Sequence, residues 1–513
     1  MASKNSQKYA LISVFDKTGI VDFARSISSF GYKIISTGGT AKVLLENNIK
    51  VIPIAEITKN PESFDGRMKT ISFQVESGIL FDRTKSSHRK QAKNLKIKPI
   101  DIVVCNLYPF EKKQTIENID VGGPTMIRAA GKNFKNVFVA VDPNDYLKII
   151  RTLKANKNGQ DMRKKLAAKA FAHLSSYDSQ IARFLETNLF PKELTISGRK
   201  TINLRYGENP HQIGVFYTFP NSNSPLKNLK KEWGRELSYV NLTDINAGIE
   251  SVRLFREPAA AVIKHNSPCG LALGKDAGES LKRAIDSDPE SAFGGIIVLN
   301  KIMNLKAASI IGRFKSERHS NVDIVAVPQI ESQALAYLSR LRKSMGIYTF
   351  GNIINYKPQT MNYRWVNGGF IIQTIDNDIE NGFKDWKIVT QKRPSAHELK
   401  QMKIAWKFIS RIRSNAIIVL DKKLPMTRGI GSGQTSRIRS TRIALEQAGK
   451  FTKNAILASD SFFPFDDSVK LAAEYGISTI VQQGGSINDK SSIETANKKG
   501  ISMIFTNRRA FWH

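Results

Sequence analysis

Near the start of the chain, strand, turn and helix alternate at very short spacing, and few folds accommodate that pattern. Residues 9–15 are an apolar run of strand character, and Asp16-Lys17-Thr18-Gly19 is a turn opening an amphipathic helix predicted over residues 20–30. A second strand, residues 32–35, runs into Ser36-Thr37-Gly38-Gly39-Thr40 and a helix predicted from Ala41. Strands joined by single helices must lie parallel in one sheet, with the helices packed on its faces. The expected fold class is therefore α/β, opening with a doubly wound parallel sheet. STGGT can close backbone amides around an anion, because glycine tolerates unusual dihedrals and the following helix adds its positive end. It is not a Walker loop, since G-x-x-x-x-G-K-[ST] is absent.

A second organising stretch is AAAVIKHNSPCGLA, residues 259–272. Its apolar run ends in Lys264 and His265, and a turn is expected at Pro268 and Gly270. A cation and an imidazole thus stand together at a strand end, where open α/β sheets hold ligands. On the dipeptide alone, a surface lysine beside a satisfied structural histidine is the favoured reading. Pro268-Cys269 superficially matches the P-C-x-x-C of zinc deaminases, but Ala272 stands where the second thiolate would be, and Ser267 where the glutamate would be. No local zinc site is expected.

A chain of 513 residues should form two or three domains. Its 41% hydrophobic and 24% charged content suits a globular enzyme, and no apolar run approaches a membrane span. The N-terminal MASKNSQKYALISV lacks a signal region, so a cytoplasmic location is expected. Two cysteines, Cys105 and Cys269, do not make a disulfide framework. A net charge of +33 raises nucleic acid as a partner, with a basic nucleic-acid-binding protein as a competing reading. The excess is dispersed, however, with concentrations at residues 85–98, 151–165 and 227–235 and no interleaved aromatics for stacked bases. The charge pattern does not favour that partner.

The segment around Lys264 and His265 resembles the KHxSPCG signature of a bifunctional purine-biosynthesis family. The family joins a 5-aminoimidazole-4-carboxamide ribonucleotide formyltransferase to an inosine monophosphate cyclohydrolase. Ordered matches run from SVFDKTG to TNRRAFWH, along nearly the whole chain. The resemblance implies a methylglyoxal-synthase-like cyclohydrolase domain over residues 1–199. A larger, cytidine-deaminase-like α/β transferase region would follow over residues 200–513. Within that region, strand, polar turn and helix recur around Asn415 and GIGSGQ, which reads as two related half-units.

The resemblance also implies site residues. Ser13, Lys17, Ser36, Gly38, Gly39 and Thr40 would hold the nucleotide phosphate in the cyclohydrolase, with Arg67, Thr70, Asn106 and Gly122 also facing the nucleotide. Lys69, Lys132 and Tyr108 would serve the oxyanion and departing water, and Asp120 would lie near the attacking amide. In the transferase, Arg205, Tyr206, Phe293, Gly294, Arg437, Arg509 and Phe511 would contact the nucleotide and Asp323 the folate. Asn415 would face the folate or the transferred formyl group. The co-substrate would be 10-formyltetrahydrofolate, with no metal, and the protein would be a homodimer because the family builds its transferase site across a subunit interface.

Formyl transfer to a weakly nucleophilic amine needs a base for the amine proton and an acid or cation for the oxyanion and the leaving nitrogen. A histidine, with an unperturbed pKa near about 6.5, suits the first task and a lysine the second. His265 is therefore the expected base and Lys264 its partner. The cyclohydrolase half departs from its family: Ser72, Glu76 and Phe134 stand where histidines are usual, and Phe73 where a proline is. The charged groups survive, so the alternatives are a bifunctional enzyme and a transferase with a degraded cyclohydrolase.

Overall fold

The structure, a computed structural model, describes residues 7–155, 159–354, 356–358 and 360–513. Parts of two stretches read above, residues 1–6 and 156–158, lie outside the described residues. The chain divides into two compact units, residues 1–199 with 219–221 and residues 200–218 with 222–513.

The first unit is built on a five-stranded parallel sheet in the order Val51–Pro53, Tyr32–Ser36, Lys8–Val14, Ile100–Asn106, Phe138–Ala140. The first strand lies in the middle and the chain winds outward to each side, which makes the sheet doubly wound. Leu11, Ile12, Ile102 and Val103 are fully buried, as strands covered by helices on both faces require. The order reverses between Lys8–Val14 and Ile100–Asn106, so a crevice opens at their carboxyl ends. The helix expected from Ala41 begins at Gly38, which puts both glycines in its first turn. His173, on the helix Gln160–Leu185, is largely enclosed, and burial pushes its imidazole below the ordinary range.

The second unit contains one recipe used twice. The first six-stranded sheet runs Ser267–Leu273, Ala259–Lys264, Ile296–Leu299, Ile324–Val327, Gly346–Thr349, Lys230–Trp233. The second runs Thr427–Gly431, Ile417–Leu420, Ile456–Ser459, Thr479–Gln482, Ser502–Phe505, Lys387–Ile388. Read in this order, both have the same sequence of antiparallel and parallel pairings. The edge strands of the two sheets meet, with a bridge between Ala272 and Met426 and a bond from the Leu271 amide to Thr427 Oγ1 at 3.1 Å.

One expectation is corrected here. The turn after Lys264 is not at Pro268 and Gly270. It is the two residues His265 and Asn266, and Pro268 and Gly270 lie inside the returning strand. Gly270 is required there for a different reason: a Cβ would fall 1.9 Å from the carbonyl of Ala284 on the helix Ala277–Ser287. Gly429 repeats this relation to Ala444 in the second sheet, also at 1.9 Å.

Among the described residues, no helix is long and apolar enough to cross a membrane, and no three metal-ligating side chains are grouped to hold an ion.

Candidate active sites

In the first unit, the carboxyl ends of the central strands gather most of the expected groups. Asn106 Oδ1 accepts from the amides of Phe15 and Asp16 at 2.7 and 2.8 Å, and its Nδ2 donates to the Asp16 carbonyl at 3.0 Å. Its amide is thus committed to shaping the loop that carries Lys17. Ser36 and Thr40 are buried, with Ser36 Oγ donating to the Ile12 carbonyl and Thr40 Oγ1 to that of Val14. Ser13 Oγ lies 3.3 Å from Thr37 Oγ1.

The anion-binding capacity therefore resides in the helix start itself. Thr37 makes no side-chain cap, which leaves first-turn amides pointing out of the helix end. Two ammonium groups flank that end: Lys69 Nζ lies 2.8 Å from the Cβ position of Gly38, and Lys17 Nζ 4.0 Å from that of Gly39. Lys69 is also paired with Glu62 at 2.9 Å, and Arg67 with Glu117.

The other wall of this crevice is the start of the helix Gly122–Lys132. Thr70 Oγ1 lies 2.5 Å from the Cβ position of Gly122, and Asp120 Oδ1 accepts from the Gly123 amide at 2.9 Å. Burial pushes the Asp120 carboxyl above the ordinary carboxylate range, opposed by the amides of Gly123 and Gly122. Tyr108 packs edge-on against Phe15 at 4.5 Å. Lys132 is not brought to this group. It ends the same helix, about 15 Å along the axis from Gly122 at 1.5 Å per residue.

Two of the three residues that stand where the resemblance implies histidines have evident structural work. Ser72 caps the helix Phe73–Leu80 by accepting from the Val75 amide, and Phe134 packs on the core. Glu76 has a buried oxygen without a hydrogen bond, and burial pushes its carboxyl up to about 7.

In the second unit, Lys264 Nζ donates to the Phe293 carbonyl at 3.0 Å, which ties Lys264 and its neighbour His265 to the SAFGG loop. Phe293 is exposed, and Gly294 turns at φ 71°. Asp323 begins beside this loop, its amide donating to the Gly295 carbonyl, but its carboxylate is clamped between Arg235 at 3.0 Å and Arg342 at 2.9 Å. Arg205 and Tyr206 bond to one another at 2.9 Å, and the guanidinium lies 4.7 Å from the ring centroid.

Asn415 is held on every side. Its Nδ2 donates to the Gln434 carbonyl at 2.8 Å, and its Oδ1 accepts from Arg437 Nη2 at 2.7 Å. Arg437 is buried rather than open to a ligand, and its other nitrogen pairs with the fully buried Asp460. The C-terminal segment runs past this cluster: the Ala510 amide donates to the Asp460 carbonyl at 2.8 Å, and the Ser414 amide to that of Trp512 at 2.9 Å. Arg509 and Phe511 stack nearby at 4.3 Å, with Arg509 exposed. From the bridge between Ala272 and Met426, the two edge strands run antiparallel. The His265 turn and the Asn415 cluster are thus carried in the same direction along the shared edge.

Two acids escaped the reading of the sequence. Asp460 was visible only as part of SDSFFPF, and Asp244 sits mid-helix with no local signal. Asp244 accepts from the Asn266 amide at 2.6 Å, in the turn that carries His265. Burial pushes its carboxyl upward, and the Asn266 amide and His265 oppose that rise.

Comparison with known proteins bears on this arrangement. A family model described as AICARFT/IMPCHase bienzyme matches residues 130–447, and one described as an MGS-like domain matches residues 19–125. The chain belongs to the AICARFT/IMPCHase bienzyme family. The bifunctional purine biosynthesis protein PurH of Acetivibrio thermocellus is 42% identical, covering 99% of this chain and 100% of the relative. The protein of the same name from Clostridium botulinum strain 657 is 43% identical with the same coverage. A solved chain described as the crystal structure of ForH aligns with 34% of this chain and 96% of its own, at 30% identity and a TM-score of 0.33. Family membership matches the α/β fold class expected from the sequence, with its MGS-like opening and larger α/β region.

Proposed function

We propose that this chain catalyses the last two steps of inosine monophosphate synthesis, with formyl transfer in residues 200–513 and dehydrative ring closure in residues 1–199. Membership of the bienzyme family supports both activities, as do full-length relatives named for bifunctional purine biosynthesis. The observation that carries the transfer assignment is the His265 turn, where an exposed imidazole stands next to an ammonium anchored at 3.0 Å.

The co-substrate is 10-formyltetrahydrofolate. The nucleotide amine attacks its formyl carbon while His265 takes the amine proton. Lys264 neutralises the tetrahedral oxyanion and supplies the proton to the departing folate nitrogen. Asn415, fixed by Arg437, directs its amide at the formyl group. Arg205, Tyr206, Phe293, Gly294, Arg509 and Phe511 hold the nucleotide. Asp323, already clamped by two arginines, meets the folate.

Ring closure joins the carboxamide nitrogen to the new formyl carbon and releases water. The phosphate sits on the helix start at Gly38 and Gly39 between Lys17 and Lys69. Lys69 and Tyr108 face the oxyanion, and Asp120 faces the attacking amide. Lys132 is assigned with Lys69 and Tyr108 to the oxyanion and departing water. The protein works as a homodimer, because the family builds its transferase site across a subunit interface, and it works in the cytoplasm.

The deciding experiment supplies aminoimidazole carboxamide ribonucleotide and 10-formyltetrahydrofolate and follows tetrahydrofolate and inosine monophosphate separately. Both products are expected. Formylated nucleotide accumulating without inosine monophosphate would leave a transferase with a degraded cyclohydrolase, and absence of tetrahydrofolate would refute the transfer assignment.

A further inference from the structure

The turn that carries His265 is two residues long. Lys264 pairs with Ser267 across it, and His265 and Asn266 have φ of 54° and 60°. Two-residue hairpins with both central residues left-handed favour asparagine and glycine, because a Cβ is crowded in that region. Asn266 fits. His265 carries a bulky side chain in the same region, so support from outside the turn helps to hold the conformation.

Asp244 does this. It is 4% exposed and accepts from the Asn266 amide at 2.6 Å. Its helix, Tyr239–Val252, is itself held in register. Ser238 and Asn241 form a reciprocal cap at its start, and a Cβ on Gly248 would fall 2.3 Å from Val298 on the sheet.

The second half-unit supplies an internal comparison. Its helix Ala396–Ile409 precedes the corresponding hairpin, and Gln401 is its sixth residue, as Asp244 is of the first helix. Gln401 is 2% exposed and donates to the Asp421 carbonyl at 3.1 Å, at the end of the strand Ile417–Leu420. The loop there spans residues 421–426 and contains no positive φ. Both halves tie helix to hairpin, but only the half bearing His265 does so with a carboxylate that accepts from a left-handed turn.

We propose that Asp244 is the positioning residue of the transferase site: it locks the His265–Asn266 turn and so aims the imidazole and the Lys264 ammonium at the bound nucleotide. This rests on the transferase reading of that turn. The test uses the full-length protein and compares Asp244→Ala, Asp244→Asn and Asp244→Glu in both half-reactions.

Asp244→Ala is expected to lower kcat for formyl transfer by about tenfold or more, since small misplacements of reacting groups are costly. The nucleotide KM should stay within about twofold, because Arg205, Tyr206, Arg509 and Phe511, assigned to holding the nucleotide, are left in place. Asp244→Asn keeps an oxygen acceptor and should recover most of the loss. Asp244→Glu pushes the carboxylate outward by one methylene and should lower kcat about fivefold or more. Ring closure, in the other unit, should not change. A wild-type kcat in Asp244→Ala, or in Asp244→Glu should the alanine variant not fold, overturns the proposal. So does a loss of ring closure parallel to that of formyl transfer. A wild-type protein that transfers no formyl group would instead refute the functional reading.

Discussion

Arg437 donates to the side-chain oxygen of Asn415 at 2.7 Å while its other nitrogen is paired with Asp460, which has no exposed surface. One guanidinium therefore links a buried charge to a site residue, a geometry that needs two donors in a fixed plane. Arg437→Lys can keep the charge for Asp460 but cannot bridge both partners. Formyl transfer should fall about tenfold or more, as for other lost orienting contacts. Arg437→Ala should also lose about 3–5 kcal/mol of stability, because a buried carboxylate is left unpaired. Steady-state kinetics and urea melts of the two variants check this.

His265→Ala should lose about 10²–10⁴ in kcat for formyl transfer, the range for removal of a general base. Nucleotide binding, measured by calorimetry without folate, should be largely retained. Near-normal turnover would refute the assignment of His265 as the base.

Gly38 opens its helix beside Lys69. Gly38→Ala would place a methyl group 2.8 Å from the ammonium, at a backbone φ of 41°. The lysine must then move. Ring closure should slow and the formylated nucleotide should bind more weakly, while formyl transfer in the other unit is unaffected. Lys17→Ala should weaken nucleotide binding as well, by an amount that shrinks at high salt.

Glu76 predicts a pH dependence of stability. Burial raises its carboxyl from 4.5 to about 7, so the folded state binds this proton more tightly than the unfolded state. The resulting stability is complete below the unfolded value and is lost as pH rises through the folded one. Glu76→Gln removes the charge, so its gain in Tm over the parent should be larger near about pH 8 than near about pH 5. Equal differences at both pH values would show that Glu76 does not titrate in this way.

The alternation of strand and helix between residues 9 and 45 was enough to specify the parallel sheet, because the side-chain period of each element states which faces must be buried. The helix boundary at Gly38 was missed by three residues, since glycine reads as a turn whether it precedes a helix or begins one. The recurrence around Asn415 pointed to two half-units. Their full correspondence appears only in the strand order, which no local pattern records.

Lys264 and His265 could be singled out from the chain because a charge and an imidazole at a strand end are local facts. The hairpin that carries them was misplaced, because Pro268 and Gly270 carry turn chemistry while serving a strand and a close helix. Asp244 lies 22 residues before Asn266, and Asp460 lies 23 beyond Arg437. Their partners are set by how a helix stacks on a sheet and how one strand end meets the next. The sequence by itself therefore determined the fold class and the family, and it singled out Lys264 and His265 as neighbours at a strand end. Tertiary structure alone decided which buried acids meet the His265–Asn266 turn and Arg437, because such a bond exists only once two elements distant in the chain have packed.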